Sequence, residues 1–383
     1  MELDRILAYW SRNTIDDSHG GFAGRINENN IVIPGAVKGS VLNARICYTF
    51  AAAYRLTGND LHKELAERAF DYIVRYFIDQ EYGGVYWTVD HTGKVDDDKK
   101  QVYAIAFVIY AFAECYKVSG DQLPLQYAKN LYQQLRQNCY DQVDKGYFEA
   151  LTRTWAPLAD LRLSEKDANE AKTMNTHLHL LEAFTNLYRV WPDDGLAIAI
   201  RELLWLFETC IIDAQSGHLH LFFNEAWLLR SGISSYGHDI EAGWLLQEAA
   251  EVLGDHILIG KFRKLAIQLT DAALEGWDEK GGIWYEFDRS NKHLFTEKHW
   301  WPQAEALVGL FNAWQVSFSE KYYIQMMNTW AFIQQNLVDK SYGEWFWGVD
   351  SNNTPMPGQD KVGIWKCPYH NGRACIELIN RIG

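Results

Sequence analysis

A short motif that recurs six times is the feature that most constrains how this chain can fold. Each copy has an acidic residue, then one or two glycines, then aromatic or apolar residues, as in the segment GGVYW at residues 83–87. One glycine in each copy marks the repeat: Gly21, Gly84, Gly146, Gly217, Gly282 and Gly343, which lie 61 to 71 residues apart. Six units of that length account for the whole chain of 383 residues. The sequence therefore predicts one repetitive domain, residues 1–383, instead of two or three separate ones.

Each repeat also contains two segments whose apolar residues fall at helical spacing, for example residues 41–55 and 61–78. A short turn such as Thr57-Gly58-Asn59 joins the two segments, and short turns connect antiparallel helices. The long connectors that carry the glycine motif, each expected to form a small β-ribbon, must then leave from the opposite end. The sequence predicts an all-α fold, an (α/α)6 barrel of six hairpins and twelve helices with small β-ribbons in the long connectors.

The two ends of the chain are expected to complete this barrel. Residues 2–13 are predicted as an outer helix and residues 370–381 as an inner helix, and the two would form the sixth hairpin. The other inner helices should begin near residues 40, 99, 172, 236 and 299, directly after the long connectors. All six inner helices would then begin at one mouth of the barrel.

Charge and hydropathy exclude two classes of partner. The chain has 36 Lys and Arg against 50 Asp and Glu, a formal net charge of −14, so we expect no binding to nucleic acid. No run approaches about 18 uninterrupted apolar residues, so we expect no membrane span. The protein is expected to be a globular monomer or weak homodimer.

Cysteine usage and the first residues predict a cytoplasmic protein. The segment MELDRILAYW at residues 1–10 lacks the cationic region and apolar run of a secretory signal. The six cysteines include no Cys-x-x-Cys pair, which is typical of reduced thiols and argues against structural zinc.

The predicted starts of the inner helices carry a group of polar residues of a kind that is unusual in a protein core. A ring of helix N-termini adds positive potential, which favours a developing oxyanion and lowers the pKa of an imidazole. The mouth therefore suits carbanion or enolate chemistry, and a surplus of 16 Trp, 21 Tyr and 18 Phe is typical of platforms for sugar rings. The clustered residues are Arg45, Tyr103, Asn175, His179, His238, Glu241, Trp300, Trp301, Glu305, His370 and Arg373.

Four motifs carry a resemblance to a known family. They are NTHLHLLEA at residues 175–183, SYGHDIEA at 235–242, WWPQAEA at 300–306 and WKCPYHNGR at 365–373. With these motifs in this order, the chain resembles the N-acylglucosamine 2-epimerase superfamily over essentially its entire length. The resemblance implies an isomerase that uses neither cofactor nor metal and acts on a small-molecule sugar. It implies epimerisation at C2 of a reducing-end glucose or mannose unit, most closely that of a β-1,4-linked disaccharide.

The resemblance also implies roles for individual residues. His238 and His370 would form the catalytic acid/base pair, with Glu241 supporting His238. The sugar would be bound by Arg45, Tyr103, Asp167, Asn175, His179, Trp301, Glu305 and Trp365. For Arg45 and Glu305 an alternative stays open, because the two could instead form a buried ion pair.

The reaction also fits these side chains on chemical grounds. Inverting C2 of an aldose requires ring opening, removal of the C2 proton next to the C1 aldehyde, and return of a proton to the other face. Histidine, with an unperturbed pKa of about 6.5, can both take and give a proton near neutral pH. Glu241 lies three residues after His238 on one helical face, so we expect it to hold that ring and favour its protonated form. Arg45 would stabilise the cis-enediolate at O1.

Aromatic residues are expected to line the sugar site. Trp300 and Trp301 lie about 100° apart on a helix, so Trp301 is predicted to face the cavity while Trp300 packs outward. A disaccharide needs a second platform beyond the reactive ring. Trp365 is expected to provide it, together with connector aromatics near Tyr86, Trp284 and Trp345.

Two His-x-His pairs are candidate metal ligands, but neither predicts a metal site. His177 and His179 lie on a predicted helix, where residues i and i+2 diverge. His218 and His220 lie on a predicted ribbon, where they share a face, but no third ligand is evident. The sequence also has no Gly-x-Gly-x-x-Gly motif after a strand and no phosphate loop, so neither a nucleotide-sugar dehydrogenase nor a kinase is supported.

Three other functions stay open at this point. A 2-epimerase of free mannose or glucose would need no second platform. A glycoside hydrolase on the same barrel would use two opposed carboxylates, for which Glu241 and Glu305 are candidates, but it would leave the histidines unexplained. A sugar-binding protein without catalysis would bind saturably without turnover.

Overall fold

Twelve α-helices alternate along the chain between an outer and an inner ring. The computed structural model describes residues 1–382. The outer helices are α1 (Glu2–Asn13), α3 (Asp60–Tyr72), α5 (Gln122–Asn138), α7 (Asp194–Leu206), α9 (His256–Ala273) and α11 (Glu320–Phe332). The inner helices are α2 (Ser40–Thr57), α4 (Val102–Ser119), α6 (Met174–Tyr188), α8 (Tyr236–Leu253), α10 (Trp300–Ser317) and α12 (Tyr369–Ile382). Short turns extend four outer helices: π-helical at Ile73–Phe77, Phe207–Ile211 and Ile333–Leu337, and 3-10 at Leu274–Gly276.

The inner helices form a closed ring. Each packs against the next in the order α2, α4, α6, α8, α10 and α12, and α12 returns to α2. The first outer helix, α1, packs on α12, so the two ends of the chain form the sixth hairpin as predicted. These contacts confirm the (α/α)6 barrel, and every inner helix begins within three residues of its predicted start.

Three of the hairpin turns owe their shape to a glycine followed by an Asn or Asp cap. Gly58, Gly120 and Gly254 end inner helices in the left-handed conformation, with φ of 66°, 66° and 70°. Asn59 and Asp121 then begin the next outer helices by accepting a hydrogen bond from the backbone N–H two residues on. All the turns therefore lie at one end of the barrel, and the long connectors lie at the other.

The strands join neighbouring repeats. They are β1 (Lys38–Gly39), β2 (Thr88–Val89), β3 (Val95–Asp97), β4 (Lys100–Gln101), β5 (Ala150–Leu151), β6 (Lys172–Thr173), β7 (Phe222–Phe223), β8 (Ile233–Ser235), β9 (Glu286–Asp288), β10 (His293–Phe295), β11 (Lys298–His299) and β12 (Gly348–Val349). The antiparallel pairs are β1–β2, β2–β3, β4–β5, β6–β7, β8–β9, β9–β10 and β11–β12. A strand just before one inner helix thus pairs with a strand from the next connector, for example Lys38 opposite Val89.

The predicted β-ribbons are present in the long connectors, but most of their strands pair with a strand of the neighbouring connector. The glycine motif itself makes only a single bridge back to the end of its outer helix, as between Ile78 and Val85. Between the last and first connectors, a bridge joins Ile26 to Val362. The connectors therefore form a collar around one mouth of the ring.

Buried lysine–aspartate pairs repeat around this collar. Five lysines that are at most 1% exposed each bind the aspartate of a glycine motif. The pairs are Lys38–Asp16, Lys100–Asp79, Lys172–Asp141, Lys298–Asp278 and Lys361–Asp339. The fourth repeat has Ser234 at the equivalent strand position, and its Asp213 lies 3.6 Å from Arg289 instead. Four of the pairs tie a glycine turn to a strand of the collar, and Lys361–Asp339 ties one to the residue before the Ile26–Val362 bridge.

Helix α4 is apolar on all sides because it belongs to the inner ring. By length and composition alone it is the one helix among residues 1–382 that is apolar enough to cross a membrane. Within the barrel 78% of it is buried, between α2 and α6 on either side and α5 outside. All six cysteines are free thiols.

Candidate active site

The N-terminal ends of the inner helices surround a cavity of about 600 Å³ at the collar end of the barrel. This volume is within the range of small-molecule sites. Ten of the predicted site residues line it: Arg45, Tyr103, Asp167, Asn175, His179, His238, Glu241, Trp301, Trp365 and His370. The eleventh, Glu305, is fully buried behind His370 and does not line the cavity, so its predicted place among the sugar-binding residues stays a prediction.

His238 lies in the first turn of α8 and is held by its own helix cap. Its Nδ1 is 2.8 Å from Oγ of Ser235, the residue that precedes the helix. Its ring lies 4.6 Å from the ring of Trp301, and only a glycine at position 237 permits this packing, since an added Cβ would lie 2.6 Å from the indole. Burial, and then the neighbouring His179, lower the pKa of His238 to about 3. The ring is therefore neutral near pH 7.

The predicted support of His238 by Glu241 is wrong. Glu241 lies one turn deeper on α8, where its Oε1 accepts a hydrogen bond of 2.7 Å from Nη2 of Arg373. The buried guanidinium on α12 attracts this carboxyl more strongly than a partly exposed imidazole does, and Ser235 takes the supporting position. The expected protonated form of His238 is also contradicted by its lowered pKa.

His370 lies in the first turn of α12 and is held by a carboxylate. Its Nδ1 is 2.6 Å from Oε1 of Glu305, which leaves Nε2 for the cavity. Burial, and then the positive charges of Arg45 and Arg373, hold the pKa of His370 well below its usual value. The ring lies 5.7 Å from that of Trp301, so one indole contacts both histidines. Each imidazole is thus neutral, with Nδ1 fixed.

Arg45 brings a positive charge to the cavity that no carboxylate among the described residues neutralises. Its Nη2 donates to the hydroxyl of Tyr103 at 2.7 Å, and its guanidinium lies 4.2 Å from the ring of Phe107. The alternative of an Arg45–Glu305 ion pair is wrong, because Glu305 binds Arg373 instead. A buried, unneutralised guanidinium is suited to stabilise an oxyanion.

The aromatic walls differ in part from the prediction. Trp301 lines the cavity as predicted, but Trp300 also lines it instead of packing outward, and its ring lies 4.6 Å from that of Trp347. Trp365 lines the cavity beside Tyr103, at 5.9 Å. Tyr86, Trp284 and Trp345 do not line it. Tyr285 and Trp347 line the cavity instead. Trp345 does not, because it is fully buried with its indole N–H bonded to Glu2.

The longest connector, between α5 and α6, covers one side of the cavity. Residues 162–168 of this segment line it, including Asp167. The carboxylate of Asp167 accepts hydrogen bonds from the backbone N–H and the hydroxyl of Ser164, at 2.9 and 3.1 Å. Burial raises the pKa of Asp167. The segment therefore adds polar groups to the cavity lining.

The His-x-His pairs do not form metal sites. The ring of His177 accepts from the backbone of Tyr147, whereas His179 lies at the cavity, so the two diverge as predicted. Both ring nitrogens of His218 are taken by carboxylates, of Asp239 at 2.6 Å and Glu275 at 3.2 Å. Residues 218 and 220 flank Leu219, which forms a single antiparallel bridge to Ile212 and belongs to no longer strand.

One further group offers a metal-like set of ligand atoms. Donor atoms of Glu241, Glu305 and His370 lie within 4.8 Å of one another. Nη2 of Arg373 already donates to both carboxylates, at 2.7 and 2.6 Å. A divalent cation would have to displace a buried guanidinium from the same oxygens, so the donor set does not fit a metal.

Sequence reasoning missed three residues of the site. Glu182 binds Arg373, Tyr369 bridges Glu182 and Arg373, and Ser235 holds His238. A glutamate within the apolar run LHLLEAF and a serine directly before a predicted helix were available signals. The partners of these residues could not be identified from the sequence, because Glu182 and Arg373 lie 191 residues apart.

Comparison with known proteins agrees with this geometry. The model of the N-acylglucosamine 2-epimerase (GlcNAc 2-epimerase) family matches residues 20–373. A cellobiose 2-epimerase of Bacteroides fragilis is 47% identical over 376 residues, which cover 98% of this chain and 96% of that protein. The solved structure of a cellobiose 2-epimerase from Bacillus thermoamylovorans is 36% identical with a TM-score of 0.93, and the match covers 99% of this chain and 98% of that one. A family 76 glycoside hydrolase from a Bacteroides thetaiotaomicron strain shares the fold alone. It is 10% identical with a TM-score of 0.70, and the match covers 99% of this chain and 77% of that one.

Proposed function

Because this chain belongs to the N-acylglucosamine 2-epimerase family, we propose that it is a cellobiose 2-epimerase. It interconverts glucose and mannose configuration at the reducing end of a β-1,4-linked disaccharide. The observation that carries this proposal is the pair of histidines on one cavity. His238 and His370 each have Nδ1 held by a fixed partner, and both contact the ring of Trp301.

The chemistry follows from the charge state of the two histidines. A neutral imidazole with Nδ1 bound acts as a base through Nε2. One histidine removes the C2 proton of the open-chain sugar, and the other returns a proton to the opposite face. The two exchange roles when the reaction runs backwards.

The intermediate is a cis-enediolate, whose negative charge needs a positive neighbour. The guanidinium of Arg45 has no carboxylate partner within the described chain, so its charge is available to O1. Tyr103, bonded to Arg45, adds a hydroxyl at the same place. Donors arranged before the reaction stabilise a developing oxyanion more than mobile water does.

A glycoside hydrolase is a poorer fit to this site. A hydrolase places two carboxyl groups on opposite sides of the scissile bond. Glu241 and Glu305 bind the same nitrogen of Arg373, so they lie side by side. Glu305 is also outside the cavity lining.

A disaccharide suits the cavity better than a free hexose does. The histidines occupy the helix ends, whereas Trp365, Tyr285 and Trp347 form aromatic walls of the same cavity. Residues 162–168 add polar groups on one side. A single hexose bound at the histidines would leave much of the 600 Å³ unfilled.

The experiment that tests the function is carbon NMR of the reducing end. The protein is incubated separately with cellobiose, mannobiose, mannose and glucose. We expect cellobiose to yield a disaccharide whose reducing unit is mannose, with the glycosidic bond intact. Release of monosaccharides would establish hydrolysis, and conversion of free hexoses alone would establish the monosaccharide epimerase.

A further inference from the structure

Three buried carboxyl groups converge on one guanidinium beneath the cavity. Nη2 of Arg373 donates to Oε1 of Glu241 at 2.7 Å and to Oε1 of Glu305 at 2.6 Å, and Nη1 donates to Glu182. All four side chains are at most 3% exposed. Were all three carboxyls ionised, the cluster would carry a net charge of −2 out of contact with water. Like charges so close and so deeply buried cannot all persist, so the cluster retains a proton.

The hydrogen-bond donors identify the carboxyl that carries this proton. Glu182 accepts from Tyr369 and Arg373 and lies 2.9 Å from Nδ1 of His179. Glu305 accepts from Arg373 and Trp244 and lies 2.6 Å from Nδ1 of His370. Donors stabilise the ionised form, so they favour the anion at Glu182, and at Glu305 they oppose the burial that raises its pKa.

Glu241 has the fewest donors of the three. It accepts only from Arg373, and its buried Oε2 has no partner among residues 1–382. Burial, followed by the charge of Glu305, raises the pKa of Glu241 well above its usual value. In contrast, Arg373 and the ring of His179 outweigh burial and lower the pKa of Glu182 to about 2. The groups that face Glu241 are the carboxyls of Glu182 and Glu305, each with two more donors than Glu241 has, one guanidinium and the neutral ring of His370, whose Nδ1 is 3.9 Å away.

Ring opening is the step of the proposed reaction that lacks a proton donor. Both histidines are neutral in the resting protein, and the pyranose must open before C2 can react. Opening requires a base at the O1 hydroxyl and an acid at the ring oxygen O5. Glu241 lines the cavity one helical turn below His238, so it is close to the histidines that handle O1 and C2.

We propose that Glu241 is held as a neutral carboxylic acid and protonates O5 when the sugar ring opens, an inference that rests on the proposed epimerase function. A histidine takes the O1 proton, the C1=O bond forms, and the C1–O5 bond breaks with its electron pair going to O5. O5 takes the proton of Glu241, which remains as a carboxylate bound to Arg373. The histidine that took the O1 proton is now an imidazolium, and it is the acid that C2 reprotonation needs. Ring closure returns the proton to Glu241.

The test separates ring opening from chemistry at C2. Ring opening and closing interconvert the α and β anomers of cellobiose, and NMR of freshly dissolved sugar measures this rate without any change at C2. Wild type is expected to accelerate it. Glu241→Gln keeps the shape, the bond from Arg373 and an N–H donor, but it has no proton to transfer. We expect enzymatic anomerisation and epimerisation to fall together by about 100-fold or more, the range of a positioned general acid.

Each other outcome bears on a different claim. Anomerisation at the wild-type rate in Glu241→Gln would overturn the role of Glu241 and leave the epimerase function standing. Anomerisation without epimerisation in wild type would overturn the function and leave ring opening intact. A second measurement is independent of activity: Glu149 and Glu286 also have raised pKa values, so the wild-type-minus-variant infrared difference spectrum isolates Glu241. The carbonyl band of a protonated carboxylic acid should appear in this difference spectrum for Glu241→Gln. A difference spectrum without that band overturns the proposal.

Discussion

At the scale of single residues, both histidines depend on what holds Nδ1. Ser235 fixes one ring through a neutral hydroxyl, whereas Glu305 fixes the other through a carboxylate. The hydroxyl adds no charge, but the carboxylate stabilises a positive charge on its ring. At His370 the nearby charges of Arg45 and Arg373 act against that carboxylate, so both rings stay neutral by different means.

Replacement of either histidine should stop the reaction without unfolding the protein. We expect His238→Ala and His370→Ala each to lower the epimerisation rate by at least about 100-fold, since each removes a positioned acid/base group. Turnover in D₂O measures this directly, because wild type should place deuterium at C2 of the product and nowhere else. The thermal midpoint of both variants should stay near that of wild type. Deuterium at C2 at the wild-type rate in either variant would remove that residue from the proton transfer.

Trp365 should matter for the second sugar more than for the first. Its ring lies against Trp87 and Tyr103 on the cavity wall, 5.8 and 5.9 Å away. We expect Trp365→Ala to raise KM for cellobiose about fivefold, the loss of one aromatic contact of about 1 kcal/mol, with a smaller change for any activity on free mannose. Trp284→Ala is the matched control, because Trp284 is outside the cavity lining and should leave both constants unchanged. An equal effect of Trp365→Ala on both sugars would contradict the second platform.

At the scale of elements, the fifth hairpin departs from the glycine turn that the first, second and fourth hairpins share. Phe318 occupies the left-handed position after α10, with φ of 56°, although it is 81% exposed. Gly58, Gly120 and Gly254 occupy the same position after α2, α4 and α8. A side chain there costs free energy, because Cβ approaches the following carbonyl.

Phe318→Gly should therefore stabilise the protein. We expect the free energy of unfolding in urea to rise by about 0.5 to 1 kcal/mol, since relief of the left-handed strain exceeds the entropy that glycine adds to the unfolded chain. The control is Gly120→Ala, where φ is 66° and an added Cβ would meet nothing within 4 Å. Conformation alone should lower the stability of that variant by about 1 kcal/mol. A Phe318→Gly variant no more stable than wild type would show that the turn is not strained.

The sequence predicted elements better than partners for a physical reason. Helix starts follow from local signals, such as the Gly-Asn turn at residues 58–59, and these lie within a few residues of the boundary they set. The partners of Glu241 and Glu305 depend instead on which residues of α12 face them across the ring. The sequence of α8 alone makes His238 the nearest possible partner of Glu241, because Arg373 lies on a different helix, α12. Motif resemblance located the site, but only the closed ring shows which atoms touch.

At the scale of the whole molecule, the collar is held by buried ion pairs whose charges depend on pH. The aspartates Asp16, Asp79, Asp141 and Asp278 each bind a buried lysine. For each of them burial acts to raise the pKa, but hydrogen bonds from the lysine, from nearby backbone N–H groups and, at Asp79, from Arg153 outweigh it and lower the pKa. A lowered pKa in the folded state means that the pair stabilises the fold above the unfolded pKa, which is about 3.9.

The free energy of unfolding should therefore fall steeply in acid. We expect it to decrease as the pH drops below about 4 and the aspartates take up protons on unfolding. Glu149 and Glu286, whose pKa burial raises to about 7, are largely protonated in both states at that pH and do not offset the fall. Urea titrations between pH 5 and pH 3 measure the slope. Lys172→Met should be less stable at pH 7 by about 3 kcal/mol and should show a shallower slope, whereas an unchanged slope would contradict the assignment.

The pairing of α1 with α12 determines when a newly made chain becomes active. Translation makes α1 long before α12, so the apolar side of α1, with Leu3, Ile6 and Trp10, waits for its partner while the helices between them are made. Until then α2 and α10 also face an open seam. Because α12 carries His370 and Arg373, a chain without α12 lacks the proposed catalytic base and the cation beneath it. Activity should therefore be gained in one event, when α12 closes the ring.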